Sequence, residues 1–151
     1  MDLLARYYSI LDRLYLRAQV SPYAPEALMK AKNMGWTIGV VTSSFQQRAV
    51  AWLVEHNIAP LVDFIISGDS CARGKPAPDP YIMAMERAGC SAENSCAVED
   101  SLQGVQSAMA AGLQTFCYIH EGNRHVKFPS NAIRLNHFDD LINMIENHES
   151  N

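Results

Sequence analysis

The sequence has no run of apolar residues long enough to cross a membrane, and its opening stretch, MDLLARYYSILDRLYLRA, is amphipathic and not signal-like. It also lacks a charge excess. With 19% charged residues and a formal net charge of −4, nothing electrostatic calls for nucleic acid or an anionic membrane as partner. The four cysteines (Cys71, Cys90, Cys96, Cys117) contain no C-x-x-C spacing. They read as reduced, mostly buried thiols of a cytoplasmic protein. The five histidines show no H-E-x-x-H spacing, which argues against a zinc site. Low-complexity segments and repeats are missing too, and 151 residues suffice for one domain with a buried core.

What is present is an alternation of helix-period and strand-length segments. Leu3, Leu4, Tyr7, Tyr8, Leu11, Leu14 and Tyr15 form a helical stripe over 2–18, broken by Ser21-Pro22-Tyr23-Ala24-Pro25. A second helix is expected from Pro25 to Met34, stopped by Gly35. TIGVVT (37–42) reads as a strand, with Ser44 as cap of the helix FQQRAVAWLVEH. DFIIS (63–67) is a second strand; Asp79 and Pro80 open a helix that Gly89 ends. CAVED (96–100) and QTFCYI (114–119) are further strands around the helix LQGVQSAMAAG, and AIRL with FDDLINMIENH closes the chain. Near-continuous apolar strands between helices predict an α/β fold: a Rossmann-like parallel sheet with helices on both faces. Ligands of such sheets bind beyond the carboxyl ends of the strands.

Those ends carry polar groups. Thr42, Ser43 and Ser44 follow the first strand, hydroxyls beside the N–H groups of a helix start, which suits phosphate; the same residues also read as a helix cap with a spare serine. Past the second strand, Lys75 sits in GKPAPDPY, a loop stiffened by prolines, and supplies a point charge for phosphate oxygens unless it is simply solvated. The third strand ends in Glu99-Asp100. Adjacent carboxylates suit Mg²⁺, which takes one or two and keeps several waters; alternatively Asp100 caps the helix and Glu99 is solvated. Gly104, one turn into that helix, costs about 1 kcal/mol relative to alanine and so indicates close packing there. Hydroxyl, lysine and acidic pair at successive strand ends together describe a pocket for a phosphate and its magnesium.

TIGVVTSS, SGDSCARGKPAPDPY and CAVEDSLQGVQSAMAAG resemble the second, third and fourth motifs of the haloacid dehalogenase-like (HAD) hydrolases, in the subgroup of β-phosphoglucomutase and phosphoglycolate phosphatase. The resemblance runs from about Ser21 to the end. It implies Thr42 and Lys75 as catalytic residues, Thr42, Ser43, Ser44 and Lys75 as phosphate-binding, and Glu99 and Asp100 as ligands of Mg²⁺. It further implies a small phosphorylated metabolite, expected to be a sugar phosphate, as substrate through an aspartyl-phosphate.

The family's first motif, D-x-D-x-T after a central strand, has no counterpart here. Its first aspartate is the nucleophile and its second the general acid and base. Asp2 and Asp12 lie in a helical stripe and do not replace them. The resemblance therefore implies an N-terminally truncated core over 21–151, with 1–20 a residual cap-domain helix and negligible turnover from this chain alone. The family's missing strand would lie between TIGVVT and CAVED. Its five or so buried side chains are worth about 8–15 kcal/mol, comparable to a domain's whole net stability of about 5–15 kcal/mol. The monomer is thus expected to be marginal, rescued by direct pairing of the flanking strands, a strand-donating partner or self-association. A non-catalytic phosphate-binding or protein-interaction module is the alternative. A receiver-like domain fits the long GKPAPDPY and VEDSLQG matches less well.

Overall fold

A computed structural model of the chain describes residues 3–148. The expected alternation is present: α1 (Leu3–Leu16), α2 (Ala24–Asn33), β1 (Gly39–Val41), α3 (Gln46–Glu55), β2 (Phe64–Ile66), α4 (Asp79–Ala88), β3 (Cys96–Glu99), α5 (Leu102–Ala110), β4 (Gln114–Tyr118), β5 (Ile133–Leu135) and α6 (Phe138–His148). Asp2 lies outside the described residues. Gly35 and Gly89 stop α2 and α4 at φ +78° and +66°, where a side chain would be strained.

At three helix starts the cap differs from the residue expected. Extended Phe45, not Ser44, precedes α3, and the carboxylate of Asp69 accepts from Gln46 N at 3.2 Å, capping the helix from a distant loop. Pro78 stands at the cap position of α4, which puts Asp79 and Pro80 inside its first turn. Ser101, not Asp100, caps α5, its hydroxyl accepting from Gly104 N at 3.0 Å. At α3 and α5 the side chain that reaches the free N–H groups is the one whose backbone leaves it on the right side, which composition alone does not fix; α4 has no side-chain cap bond.

All strand pairing is parallel, but the strands form two sheets, β2–β1 and β3–β4–β5. Of the three expected ways to complete the sheet, direct pairing of β1 with β3 does not occur. Helices cover both faces. On one side Ala27 of α2 and Leu141 of α6 pack with Phe116 and Leu135, joined by Ile38 and Val98. On the other, Tyr81 of α4 and Ala108 of α5 pack with Ala97 and Leu113, joined by Val41. Residues flanking β1 and β3 thus meet the same side-chain clusters although the strands do not bond. Burial registers the break: Thr115, Phe116 and Cys117 of β4 are buried, whereas Gly39 and Cys96 are exposed and Val40, Val41 and Val98 half-buried. Cys90 is exposed as well and Cys71 half-buried, so the thiols expected to be mostly buried are so only at Cys117.

Helix α1 lies against α3, where Arg48 pairs with Asp12 and Trp52 Nε1 donates to Ala18 O at 2.8 Å. Among the described residues of its stripe, Tyr7, Tyr8 and Leu14 are exposed. None of the helices among the described residues is long and apolar enough to cross a membrane.

Asp63 ties three elements at the start of β2, its carboxylate accepting from Ile38 N at 2.8 Å and from Lys32 Nζ at 2.7 Å. The Ile38 N–H, and then the lysine, hold it below its ordinary value of 3.8. A folded-state value below the unfolded one contributes stability that is full above the unfolded value and is lost as pH falls through the folded one. Asp63→Asn is therefore expected to melt below the parent at neutral pH, with the difference closing as pH falls below about 4. A difference that persists unchanged at pH 2 would rule out this linkage.

Candidate active site

Thr42 continues β1 for one more bond, its N–H donating to Ile66 O at 2.9 Å, and its hydroxyl then accepts from Ser44 N at 3.1 Å. This local turn fixes residues 42–44. It is wedged against the loop after β2: Gly68 N donates to Ser44 O at 2.9 Å, and a Cβ on Gly68 would overlap the Ser43 carbonyl. Because Thr42 and Asp69 take the N–H groups of Ser44 and Gln46, those of Ser43 and Phe45 are left without an acceptor among the described residues. Two neighbouring amides and the Thr42 hydroxyl at a helix start form a place for an anion.

Lys75 is not a solvated loop lysine. Its side chain is 7% exposed, Nζ donates to Val41 O at 2.9 Å, and it forms an ion pair with Glu99, itself 8% exposed. The Tyr81 hydroxyl also donates to Glu99, and the Tyr81 ring lies 5.2 Å from the ammonium. Burial first, and then the Glu99 charge, push the Tyr81 hydroxyl far above its ordinary pKa, so it stays a donor. Glu99 leans over α5 where Gly104 leaves room, and any Cβ there would overlap the carboxylate. That is the close packing the glycine indicated. The loop carrying Lys75 is anchored in turn by Ser107 Oγ, which donates to Ala77 O at 2.5 Å, and by the Arg73–Asp79 pair at 2.9 Å.

Glu99 and Asp100 part company, since successive residues at a strand end point in opposite directions. Asp100 is turned outward, its side chain 60% exposed and Oδ2 3.4 Å from His120 Nε2. Its carbonyl and that of Tyr118 both accept from Asn123 Nδ2, at 2.8 and 2.9 Å, so one buried amide fastens the ends of β3 and β4 together. Among the described residues no three His, Cys, Asp or Glu side chains converge as a ready-made metal cage. Magnesium does not need one: the accessible Asp100 carboxylate at a strand end, with waters, is a donor set it accepts. Glu99 Oε1 already serves Lys75 and Tyr81, so Asp100 is the better placed of the two acids.

The structure therefore brings Lys75 and Glu99 into contact, sets Thr42–Ser44 at the end of the strand whose carbonyl Lys75 also binds, and turns Asp100 away. Sequence reading missed Tyr81, Asn123 and Asp69. The DPY of α4 and the H-x-x-N of His120–Asn123, a reciprocal capping box, were the available signals for two of them. Two cavities of about 500 and 510 Å³ lie elsewhere, one along β2 between α3 and α4, the other between α1 and α3 beside Phe45 and Arg48.

Removing one member of a buried ion pair strands the other. Lys75→Met is expected to cost about 3–5 kcal/mol in chemical denaturation, and the double variant Lys75→Met/Glu99→Gln to cost less than Lys75→Met alone. Additive losses would show that the pair is not coupled in the fold.

Comparison with known proteins bears on the same elements. Residues 2–118 match the family model of the haloacid dehalogenase-like hydrolases. The chain is 30% identical over 115 residues to the phosphoglycolate phosphatase of Nitrosococcus oceani, covering 76% of this chain and 51% of that protein. It is 27% identical over 128 residues to the phosphorylated carbohydrates phosphatase of Thermotoga maritima, covering 83% and 59%. The crystal structure of CbbY from Rhodobacter sphaeroides in complex with phosphate superposes with a TM-score of 0.76 at 27% identity, over 86% of this chain and 60% of that one. The chain thus spans about half the length of the curated relatives it matches. With the motif segments and the family match in agreement, this chain belongs to the haloacid dehalogenase-like hydrolase family.

Proposed function

We propose that the chain carries the phosphate- and metal-binding side of a Mg²⁺-dependent phosphatase or phosphomutase for a small phosphorylated metabolite, with a sugar phosphate as the substrate class. The observation that carries this reading is the pairing of an anion-ready turn with a lysine at adjacent strand ends. The Ser43 and Phe45 amides and the Thr42 hydroxyl stand just past Val41, whose carbonyl holds Lys75 Nζ at 2.9 Å. Relatives described as phosphatases of phosphoglycolate and of phosphorylated carbohydrates support the substrate class.

In this reading Thr42, Ser43 and Ser44 bind phosphoryl oxygens, and Lys75 offsets the charge that gathers on them in the transition state. Asp100 holds the metal with water, and Glu99 assists chiefly by fixing Lys75. Bound magnesium supplies charge neutralisation at the phosphoryl oxygens. The aspartyl-phosphate step needs a D-x-D carboxylate, which these residues do not contain, so residues 1–151 alone bind and do not turn over. Helix α1, with its uncovered Tyr7 and Leu14, is taken as the remainder of a cap over 1–20, and 21–151 as the core.

A second reading, a phosphate-binding module without catalysis, is favoured by one feature: the Lys75 charge is already balanced by Glu99 inside the fold. The two readings share the site and differ only in whether another segment supplies the nucleophile.

Thermal melting with inorganic phosphate and Mg²⁺ tests the site. Saturation at a hundredfold over Kd is worth about 2.7 kcal/mol, or roughly 5–10 °C for a chain of this size. Phosphate alone is expected to give the smaller shift, Mg²⁺ to add to it, and Asp100→Asn to lose the magnesium increment, while small phosphoesters remain unhydrolysed. Hydrolysis that disappears in Asp100→Asn would overturn the expectation of no turnover. Absence of any shift would sink both readings.

A further inference from the structure

His120 follows β4 by two residues, and its ring stands beside the Asp100 carboxylate with Nε2 3.4 Å from Oδ2. The other ring nitrogen is already committed: Nδ1 accepts from Gly122 N at 3.1 Å. In the neutral ring an accepting Nδ1 leaves the proton on Nε2, so the nitrogen facing Asp100 is a donor and offers a metal no lone pair. The ring is held from more than one direction. A Cβ on Gly122 would stand 3.0 Å from its Cε1, and the Tyr118 ring lies 6.0 Å away. One buried side chain fixes the main chains of both partners. Asn123 Oδ1 accepts from His120 N at 2.9 Å, while Nδ2 donates to the Asp100 and Tyr118 carbonyls. Both donor hydrogens and the acceptor of that amide are thus spent on setting His120 against Asp100. Capping the short turn at 121–123 does not by itself call for histidine. Ser, Asp or Asn would supply the acceptor, whereas an imidazole adds a donor on the far side of the ring.

We propose that His120 is a positioning residue for the metal-binding carboxylate, its Nε2–H holding Asp100 Oδ2 and leaving Oδ1 for the cation. The inference rests on the reading of Asp100 as the Mg²⁺ ligand. Mg²⁺ demands near-ideal octahedral geometry, which a carboxylate swinging freely at the surface supplies poorly. The Asp100 side chain is 60% exposed, so packing does not restrain it. A small turn of the carboxylate closes 3.4 Å to hydrogen-bond distance. Such a bond removes rotamer freedom that the metal would otherwise have to freeze, and it occupies the oxygen that could chelate alongside Oδ1. His120 acts through Asp100 and touches neither metal nor substrate.

The test is calorimetric titration of the whole chain with Mg²⁺, beside the thermal shift given by inorganic phosphate alone. His120→Ser keeps an acceptor for the Gly122 N–H and removes the donor on the far side. This variant is expected to bind Mg²⁺ about 10–100-fold more weakly than the parent, while its phosphate-only shift stays the same. Mn²⁺ bound to the parent is expected to show no coupling to an imidazole nitrogen in electron paramagnetic resonance. Equal Mg²⁺ affinity in His120→Ser and the parent would overturn the inference and leave the reading of Asp100 intact. No Mg²⁺ binding by the parent itself would remove both. Loss of the Mg²⁺ affinity and the phosphate shift together would mark His120 as a structural residue only, and nitrogen coupling would make it a ligand. Either result overturns the positioning role.

Discussion

The buried contact between Lys75 and Glu99 is the constraint on which the rest of the molecule depends. Lys75 comes from the loop after β2, Glu99 from the end of β3, and the same ammonium takes the last carbonyl of β1. One side chain therefore fastens the two sheets together at the end where no backbone ladder joins them. A buried pair is seldom a net source of stability against an apolar replacement, but it is costly to break and geometrically exacting. Here the exacting part matters: it fixes the positions of the strand ends, and with them Thr42–Ser44 and Asp100.

The surrounding residues make sense as support for that contact. Tyr81 satisfies the Glu99 carboxylate from α4, Gly104 clears the volume it occupies, and Ser107 steadies the loop that delivers the lysine. Burial of both charges without these donors would cost several kcal/mol per ion. The prolines of GKPAPDPY reduce the entropy lost in holding the lysine in place. A stiff loop in the sequence thus corresponds to a lysine that is buried in the structure.

Much of this was legible beforehand because it rests on local periodicity. The strand runs, the glycine stops at 35 and 89, the parallel topology and the grouping of hydroxyl, lysine and acids at strand ends all follow from short windows of sequence. What escaped depends on partners far apart in the chain. Asp69 caps α3 from another loop, Asn123 reaches back to the Asp100 carbonyl, and Tyr81 finds a carboxylate eighteen residues on. Alternation along a strand separates Glu99 from Asp100, but which of them turns inward is decided by where Lys75 arrives. The exposure of Cys96 follows from the same cause as that of Gly39. Both line an edge that the sheet leaves open, and residue type says nothing of that.

Charge accounting at the strand ends links the fold to its proposed ligands. Lys75 and Glu99 cancel inside the protein, which leaves the outward Asp100 as the net charge of the trio. A phosphate dianion approaching the Ser43 and Phe45 amides therefore meets an environment already negative on one side, and the amides, the Thr42 hydroxyl and the third N–H of Lys75 are what attract it. A divalent cation at Asp100 reverses that balance, because it neutralises the carboxylate and leaves positive charge for the phosphoryl oxygens. Phosphate and magnesium should accordingly favour each other's binding, and the coupling follows from the commitment of Lys75 to the fold. A site with a free lysine would bind the anion unaided; this one has given that charge to holding its two sheets together.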